Sequence, residues 1–321
     1  MTITGRASLA RLGFADAGLA QRLLGDDGLA LWDFTADAPR RPGDSDVIEG
    51  LAAAADPDLA LRTLVRLMDA QGDAAALRTA LGTSTALRSR LIRVLGASSA
   101  LGDHLVSHPG EWRVLADDEI VAGRPDLDDL SHALLSAVGA DPDADAPQAR
   151  SVGADVVADL RLAYRRCLLV LAGRDLSGLA DLPDVGAEMS NLAAATLSAA
   201  LAIGRARLGA DAVPCRLAVI GLGKCGGREL NYVSDVDVVF VAEPADPEAL
   251  RTATALASQL IGICGEVAWP VDAGLRPEGR DGPLVRTLDS HVAYYERWAT
   301  TWEFQALLKA RPLAGDRALG E

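Results

Sequence analysis

The chain has 321 residues, of which 50% are hydrophobic and only 4% are aromatic, and its formal net charge at pH 7 is −14. A chain of this length can hold about two domains, and its negative charge argues against a nucleic-acid substrate, because phosphate backbones are bound by Lys and Arg surfaces. The four scattered cysteines form no Cys-x-x-Cys pair, which is typical of reduced thiols in the cytoplasm. We find no signal peptide and no apolar stretch long enough to span a membrane, so we expect a cytoplasmic protein with no membrane partner.

The first two hundred residues predict helices joined by loops rich in Gly, Asp and Pro. Apolar residues recur at spacings of three and four in residues 87–95 and 157–171, which indicates amphipathic helices. The Ala-rich residues 192–204 predict a buried helix. The acidic, Pro-containing residues 139–147 predict a solvated linker.

From residue 216 strands and helices alternate. The pattern predicts strands at 216–220, 236–242 and 266–272, at most a short helix within 224–232, and longer helices at 249–262 and 290–310. We therefore expect an α+β fold that is largely helical overall. An all-helical N-terminal region, residues 1–210, would precede a small α/β domain with a trailing helix, residues 211–321.

The most informative segment is residues 217–240. An apolar strand ends in the glycine-rich turn 221–227, and a second apolar strand opens with Asp235-x-Asp237. Residues two apart in a strand share one face, so both carboxylates point the same way. Carboxylates bind Mg²⁺ together with substrate phosphates, and a glycine-rich turn lets backbone N–H groups approach a phosphate chain. This layout predicts a nucleotidyltransferase palm.

A third carboxylate, Asp272, ends the next predicted strand. Three carboxylates on adjacent strands can hold two metal ions about 3.5–4 Å apart, the arrangement used for in-line displacement at phosphorus. Arg276, four residues later, is a candidate for bidentate phosphate binding. A surface loop cation is an equally good interpretation of Arg276.

Two other patterns admit alternative chemistry. Gly221-x-Gly223-x-x-Gly226 matches the dinucleotide-binding fingerprint. The crossover helix after it would be very short, however, and the acidic residues open the second strand instead of closing it. Cys225 beside Lys224 has the setting of an acidified thiol, but a packed small side chain is the better expectation.

Two further pairs of residues favour structural roles. His104 and His108 lie one helical turn apart but lack the Glu of a zinc-protease motif, which favours a structural role at a helix end. Trp298 and Trp302 lie four residues apart, and we expect packing, with base stacking as the lesser option.

The residues 221–240, with Asp235 and Asp237, resemble the signature of the glutamine synthetase adenylyltransferases, whose members attach AMP to a tyrosine of glutamine synthetase and remove it again. Residues 271–279 with 282–284 are similar to the family's third-carboxylate segment, and residues 294–312 to the helix that follows. Residues 160–166 and 173–178 are similar to its helical lead-in. The resemblance spans residues 85–316 and is specific, because the turn, the intervening Glu-Leu and the Asp pair coincide in order and spacing.

The resemblance implies that Asp235, Asp237 and Asp272 are catalytic metal ligands for two Mg²⁺ ions. It implies ATP or ADP, inorganic phosphate and glutamine synthetase as reactants, with a PII-type signalling protein as a further candidate partner. Gly274 departs from the family pattern, where a larger residue is usual. The implied phosphate-binding residues, with Arg276 added from its position, are Gly221, Gly223, Lys224, Gly226, Gly227, Ser234 and Arg276.

Family members carry two such catalytic domains, whereas this sequence contains one. The resemblance therefore leads us to expect an N-terminal portion of such a protein that stops before a helical domain, and this position favours the adenylyl-removing half. In that reaction phosphate attacks adenylyl-tyrosine and ADP leaves. Forward adenylylation from ATP, a non-catalytic module that binds nucleotide or the synthetase, and a dinucleotide-dependent oxidoreductase are the alternatives.

Overall fold

The computed structural model describes residues 5–209 and 212–321. The fold is largely helical and of the α+β type, as predicted. Two compact units are formed, Met1–Gly123 with Leu168–Ala180, and Arg124–Cys167 with Asp181–Glu321. The expected boundary between residues 210 and 211 falls on residues outside the described part, and the division there stays a prediction.

The first unit consists of helices and one short antiparallel strand pair around one apolar core. In its α6 helix, Thr85–Ala97, Ser84 caps the first turn by accepting a hydrogen bond from the Leu87 N–H. Leu87, Leu91 and Leu95 are completely buried on one face, as their spacing predicts, and each buried Leu contributes roughly 1.5–3 kcal/mol. The described elements of this unit are α1 (Arg6–Arg11), α2 (Ala17–Leu24), β1 (Trp32–Asp33), β2 (Ala38–Pro39), α3 (Asp44–Ala52), α4 (Pro57–Ala70), α5 (Ala74–Thr83), α6 (Thr85–Ala97), α7 (Ser99–Ser107), α8 (Arg113–Ala116) and α9 (Asp118–Ala122).

The second unit combines long helices with a mixed sheet. Its α12 helix, Leu182–Leu208, buries nearly every residue from Met189 to Gly204, which confirms the buried helix predicted from the Ala-rich stretch. No helix in the described part of the chain combines the length and apolar character needed to cross a bilayer. The helices of this unit are α10 (Leu127–Ala137), α11 (Ala154–Leu176, its last residues from Leu168 counted with the first unit), α12, α13 (Gly223–Gly226), α14 (Pro247–Val267), α15 (Leu288–Arg297), α16 (Thr301–Leu307) and α17 (Arg317–Gly320), with a 3₁₀ turn at Gly279–Asp281.

The strands of the sheet are β3 (Arg216–Gly221), β4 (Val236–Glu243), β5 (Val271–Asp272), β6 (Val285–Thr287) and β7 (Arg311–Gly315). β4 lies between β3 and the short strands β5 and β6. β4 pairs antiparallel with β3 on one side and parallel with β5 and β6 on the other, and β7 pairs antiparallel with β3. A dinucleotide-binding unit needs parallel strands on both sides of its glycine turn. The antiparallel β3–β4 pair therefore disfavours the oxidoreductase alternative.

Alternation along β4 gives the sheet one buried face and one partly open face. Val236, Val238 and Phe240 are at most 1% exposed. Asp237 lies on the opposite face, because successive strand residues point to opposite sides. Val239 and Val241 lie on the same face of β4 as Asp237.

Two of the predicted elements are wrong in extent. Of the strand predicted at 266–272 only Val271–Asp272 forms, because α14 continues to Val267 on a buried stripe that includes Leu260 and Ile263. The single helix predicted at 290–310 is divided into α15 and α16. Thr300 between them is extended and forms a capping box with Glu303, which starts a new helix.

Candidate functional site

The three predicted carboxylates meet at one end of the sheet. Asp235 and Asp237 stand at the start of β4, and the β4–β5 register places Asp272 directly beside Asp237. One oxygen atom from each of the three carboxylates lies within 4.8 Å of the others. Two chain segments that are far apart in sequence therefore supply one acidic cluster.

The electrostatics of this cluster favour a cation. Burial raises the pKa of Asp237, the neighbouring carboxylates of Asp235 and Asp272 raise it further, and Lys224 opposes the shift. Close carboxylates resist simultaneous ionisation unless a proton or cation joins them. In the described part of the chain, no group donates a hydrogen bond to the carboxylate oxygens of Asp235 and Asp237. These oxygens are therefore available as metal ligands. The set fits Mg²⁺, a hard cation bound by carboxylate oxygens.

Asp272 is held in place by its own loop. The Gly274 N–H donates to Asp272 Oδ1 at 2.6 Å, and a Cβ on Gly274 would lie only 2.8 Å from that oxygen. The absence of a side chain at Gly274 thus leaves room for this short turn. We conclude that Gly274 orients the third carboxylate.

The glycine turn lies directly against the carboxylates. Gly223 has a φ of +51°, and a Cβ at this position would lie 2.6 Å from Asp237 Oδ2, so both the backbone conformation and the available space require glycine. A Cβ on Gly226 would lie 2.1 Å from the Lys309 carbonyl oxygen. The turn is therefore packed between the acidic cluster and the segment that leads into β7.

Arg311 fixes this turn from the β7 side. Its Nε donates to the Gly226 carbonyl at 3.2 Å and its Nη2 to the Cys225 carbonyl at 3.1 Å. Lys309 adds an ion pair with Glu229 at 2.6 Å. Neither cation was among the predicted site residues, although Lys309 lies at the end of the helix predicted at 290–310 and Arg311 directly follows it.

The remaining candidate phosphate-binding residues occupy different settings. Lys224 is exposed beside the cluster, and Ser234 is half-buried just before Asp235. Gly221 packs against Leu313, and Gly227 against the Lys309 side chain. Only Lys224 and Ser234 of these four combine a polar side chain with a place next to the carboxylates.

Arg276 is engaged within its own loop. Its guanidinium donates to the carbonyls of Ala273, Gly282 and Arg280 at 2.8–3.1 Å, so phosphate binding by Arg276 would require this loop to rearrange. Arg280, which the sequence analysis missed, is 84% exposed and lies 3.7 Å from Asp272. It is a second cation close to the cluster.

The other singled-out residues have structural settings. Burial raises the pKa of the Cys225 thiol to about 11, with Arg311 opposing the shift, which fits a packed side chain. His104 is buried near the end of α7, and its ring lies 4.9 Å from that of His108. The packing expected for Trp298 and Trp302 is wrong, because they are 73% and 53% exposed.

Comparison with known proteins decides the family. A family model described as glutamate-ammonia ligase adenylyltransferase matches residues 88–321. The chain belongs to this adenylyltransferase family. The resemblance inferred from the glycine turn and the Asp pair is thereby confirmed.

Members of the adenylyltransferase family from several bacteria are similar to the whole chain. The bifunctional glutamine synthetase adenylyltransferase/adenylyl-removing enzyme of Streptomyces avermitilis is 51% identical over 100% of this chain and 31% of its own length. The enzymes of the same description from Streptomyces coelicolor and Mycobacterium tuberculosis (strain H37Rv) are 51% and 44% identical over 97% and 98% of this chain, and 30% of theirs. The chain thus spans about a third of the length of these relatives.

Proposed function

We propose that the chain carries a metal-dependent nucleotidyltransferase site that acts on glutamine synthetase and removes AMP from its adenylylated tyrosine. The main observation in support of this proposal is that Asp235, Asp237 and Asp272 lie together, with one oxygen of each within 4.8 Å of the others. Family membership supports nucleotidyl transfer, and glutamine synthetase is the substrate that the relatives are described as modifying. The removing direction rests on the resemblance described above.

The reaction is an exchange at one phosphorus atom. An oxygen of inorganic phosphate forms a bond to the adenylyl phosphorus, the bond from that phosphorus to the tyrosine oxygen breaks, and the phosphate proton ends on tyrosine. ADP and unmodified tyrosine are the products. Forward transfer from ATP is the same displacement with a tyrosine oxygen as nucleophile, so one site can serve either direction.

The residues of this chain would act by holding and orienting. The three carboxylates would bind Mg²⁺, which when bound neutralises charge on the reacting phosphates and orients the attacking oxygen. The N–H groups of Gly223, Lys224 and Cys225 have no acceptor among the described residues, and they are available to a phosphate beside the cluster. The Lys224 ammonium would add positive charge at the same place.

The test is release of ADP from adenylylated glutamine synthetase. We expect ADP only with phosphate, Mg²⁺ and intact Asp235 and Asp237. Asp235→Asn and Asp237→Asn should each lower the rate by about 10²–10³-fold, in line with loss of a principal electrostatic contribution to catalysis. Asp143→Asn, which removes the same charge from an exposed loop, is the matched control.

The outcomes separate the alternatives. ATP-dependent labelling of unmodified synthetase without ADP release would replace removal by forward adenylylation. Metal-dependent nucleotide binding without turnover in either direction would favour the binding module. Full activity in the Asp235→Asn and Asp237→Asn variants would contradict the proposed site altogether.

A further inference from the structure

An apolar groove lies on the same face of the sheet as the carboxylates. Its floor is formed by Ile220 of β3 with Val239 and Val241 of β4, and its volume is about 600 Å³, within the range of small-molecule sites. Val239 and Val241 follow Asp237 at intervals of two, and Ile220 pairs with Val239, so all four side chains share one face. The groove therefore lies along β4 beyond Asp237, on the face of the sheet that carries this carboxylate.

The walls of the groove come from α15 and α16. Tyr295 and Phe304 contribute aromatic rings whose centroids are 5.6 Å apart at 59°, and Phe304 remains 48% exposed. His291 and Glu296 are the polar members of the lining. Aromatic and aliphatic walls with a few polar groups are the usual environment of a bound heterocycle.

The separation along β4 suits one nucleotide. A strand rises about 3.3 Å per residue, which puts Val239 about 7 Å and Val241 about 13 Å beyond Asp237. A ribose separates a base from its 5′-phosphate by a distance of this order. A nucleotide whose phosphate lies at the carboxylates can thus place its base over the valines.

We propose that this groove binds the adenine base of the adenylyl group. The proposal rests on the proposed function, because it takes the phosphate position from the carboxylate site. The base packs between the β4 valines and the Tyr295–Phe304 pair, and aromatic stacking of this kind tolerates any flat heterocycle. Glu296 at the groove offers an acceptor for an exocyclic amino group.

The contribution of the base is measured by comparing two ligands in the presence of Mg²⁺. AMP carries the base, and ribose 5-phosphate carries only the sugar and phosphate. We expect the wild-type chain to bind AMP about tenfold more tightly, which corresponds to about 1.4 kcal/mol, and Phe304→Ala and Val292→Glu to reduce this ratio below about twofold. Both variants should leave the affinity for ribose 5-phosphate unchanged.

Two comparisons make the result decisive. Trp298→Ala removes a 73% exposed aromatic side chain that does not line the groove, and it should keep the wild-type ratio. Val292→Glu changes a half-exposed side chain of the lining, so the test survives if Phe304→Ala fails to fold. Equal wild-type affinities for AMP and ribose 5-phosphate, or an unchanged ratio in both groove variants, would overturn the groove assignment.

The same binding measurements give a different result if the proposed function itself is wrong. If ribose 5-phosphate binds and its affinity depends on Asp237, the result supports the phosphate site, and a failure then concerns the base site alone. If neither ligand binds in an Asp237-dependent way, the proposed function and the groove assignment fall together.

Discussion

At the scale of single residues, the contact between Gly223 and Asp237 is the feature on which the site most depends. The left-handed φ of Gly223 and the 2.6 Å approach of its absent Cβ to Asp237 Oδ2 leave no space for a side chain. Gly223 therefore belongs to the glycine turn and also lies directly against the Asp237 carboxylate.

Gly223→Ala tests this contact. We expect loss of Mg²⁺-dependent activity and a loss of stability of about 1–3 kcal/mol, since the strained backbone and the displaced carboxylate both contribute. Gly262→Ala is the matched control, because nothing lies within 4 Å of its Cβ position and Ala favours its helix. Measurement of initial rates and of urea unfolding should separate the two variants, and equal behaviour would refute the requirement for glycine at 223.

His291 gives a pH-dependent prediction at the same scale. Burial lowers its pKa below the ordinary 6.5, nearby Arg286 lowers it further, and the Phe240 backbone opposes the shift. Below about pH 6.5, His291 takes up a proton in the unfolded chain but stays neutral in the folded chain. The free energy of unfolding therefore falls as the pH drops toward the folded pKa of His291. Below that pKa, the contribution of His291 to the free energy of unfolding no longer changes with pH.

His291→Gln should reduce the difference in unfolding free energy between about pH 8 and about pH 5.5, measured by urea titration. His132→Gln, at an exposed position, should leave that difference as in the wild type. The same pH dependence in both variants would show that His291 does not contribute to it.

At the scale of elements, the site is assembled by strands that are distant in sequence. The glycine turn ends β3, the Asp pair opens β4, Asp272 ends β5, and Arg311 opens β7. Arg311 spans from β7 to two carbonyls of the turn. The last strand thus positions the turn that faces the carboxylates.

Arg311→Met should cost about 1–3 kcal/mol of unfolding free energy, because two partly buried carbonyls lose their charged donor. It should also weaken AMP binding through the displaced turn. Arg317→Met, which breaks an exposed pair with Glu321, should change stability by about 0–1 kcal/mol. If calorimetry and urea unfolding show no greater effect for Arg311→Met, this positioning role is refuted.

Also at this scale, local sequence patterns predicted some elements and missed others. β3, β4 and the buried part of α12 follow from continuous apolar runs, and the Asp pair follows from period-two alternation. The α15–α16 break depends on a capping box between Thr300 and Glu303, which the apolar periodicity of residues 290–310 obscured. β7 was missed because a strand of five residues that includes Pro312 is too short to show a pattern.

At the scale of the whole molecule, the features that no pattern predicted come from tertiary packing. The engagement of Arg276 with three carbonyls depends on a loop fold. The groove depends on two helices placed over β3 and β4. The acidic cluster itself was predictable because the order of the three carboxylates along the chain matched the order of adjacent strands, as the family resemblance also implied.

The central claim is that Asp235, Asp237 and Asp272 form one cation site. Mn²⁺ binding measured by electron paramagnetic resonance, with Mn²⁺ in place of Mg²⁺, tests it most directly in the wild type, Asp237→Asn, Asp272→Asn and the Asp143→Asn control. We predict that each cluster variant lowers Mn²⁺ affinity at least about tenfold, or about 1.4 kcal/mol, while the control retains wild-type affinity. Wild-type Mn²⁺ affinity in both cluster variants would contradict the account.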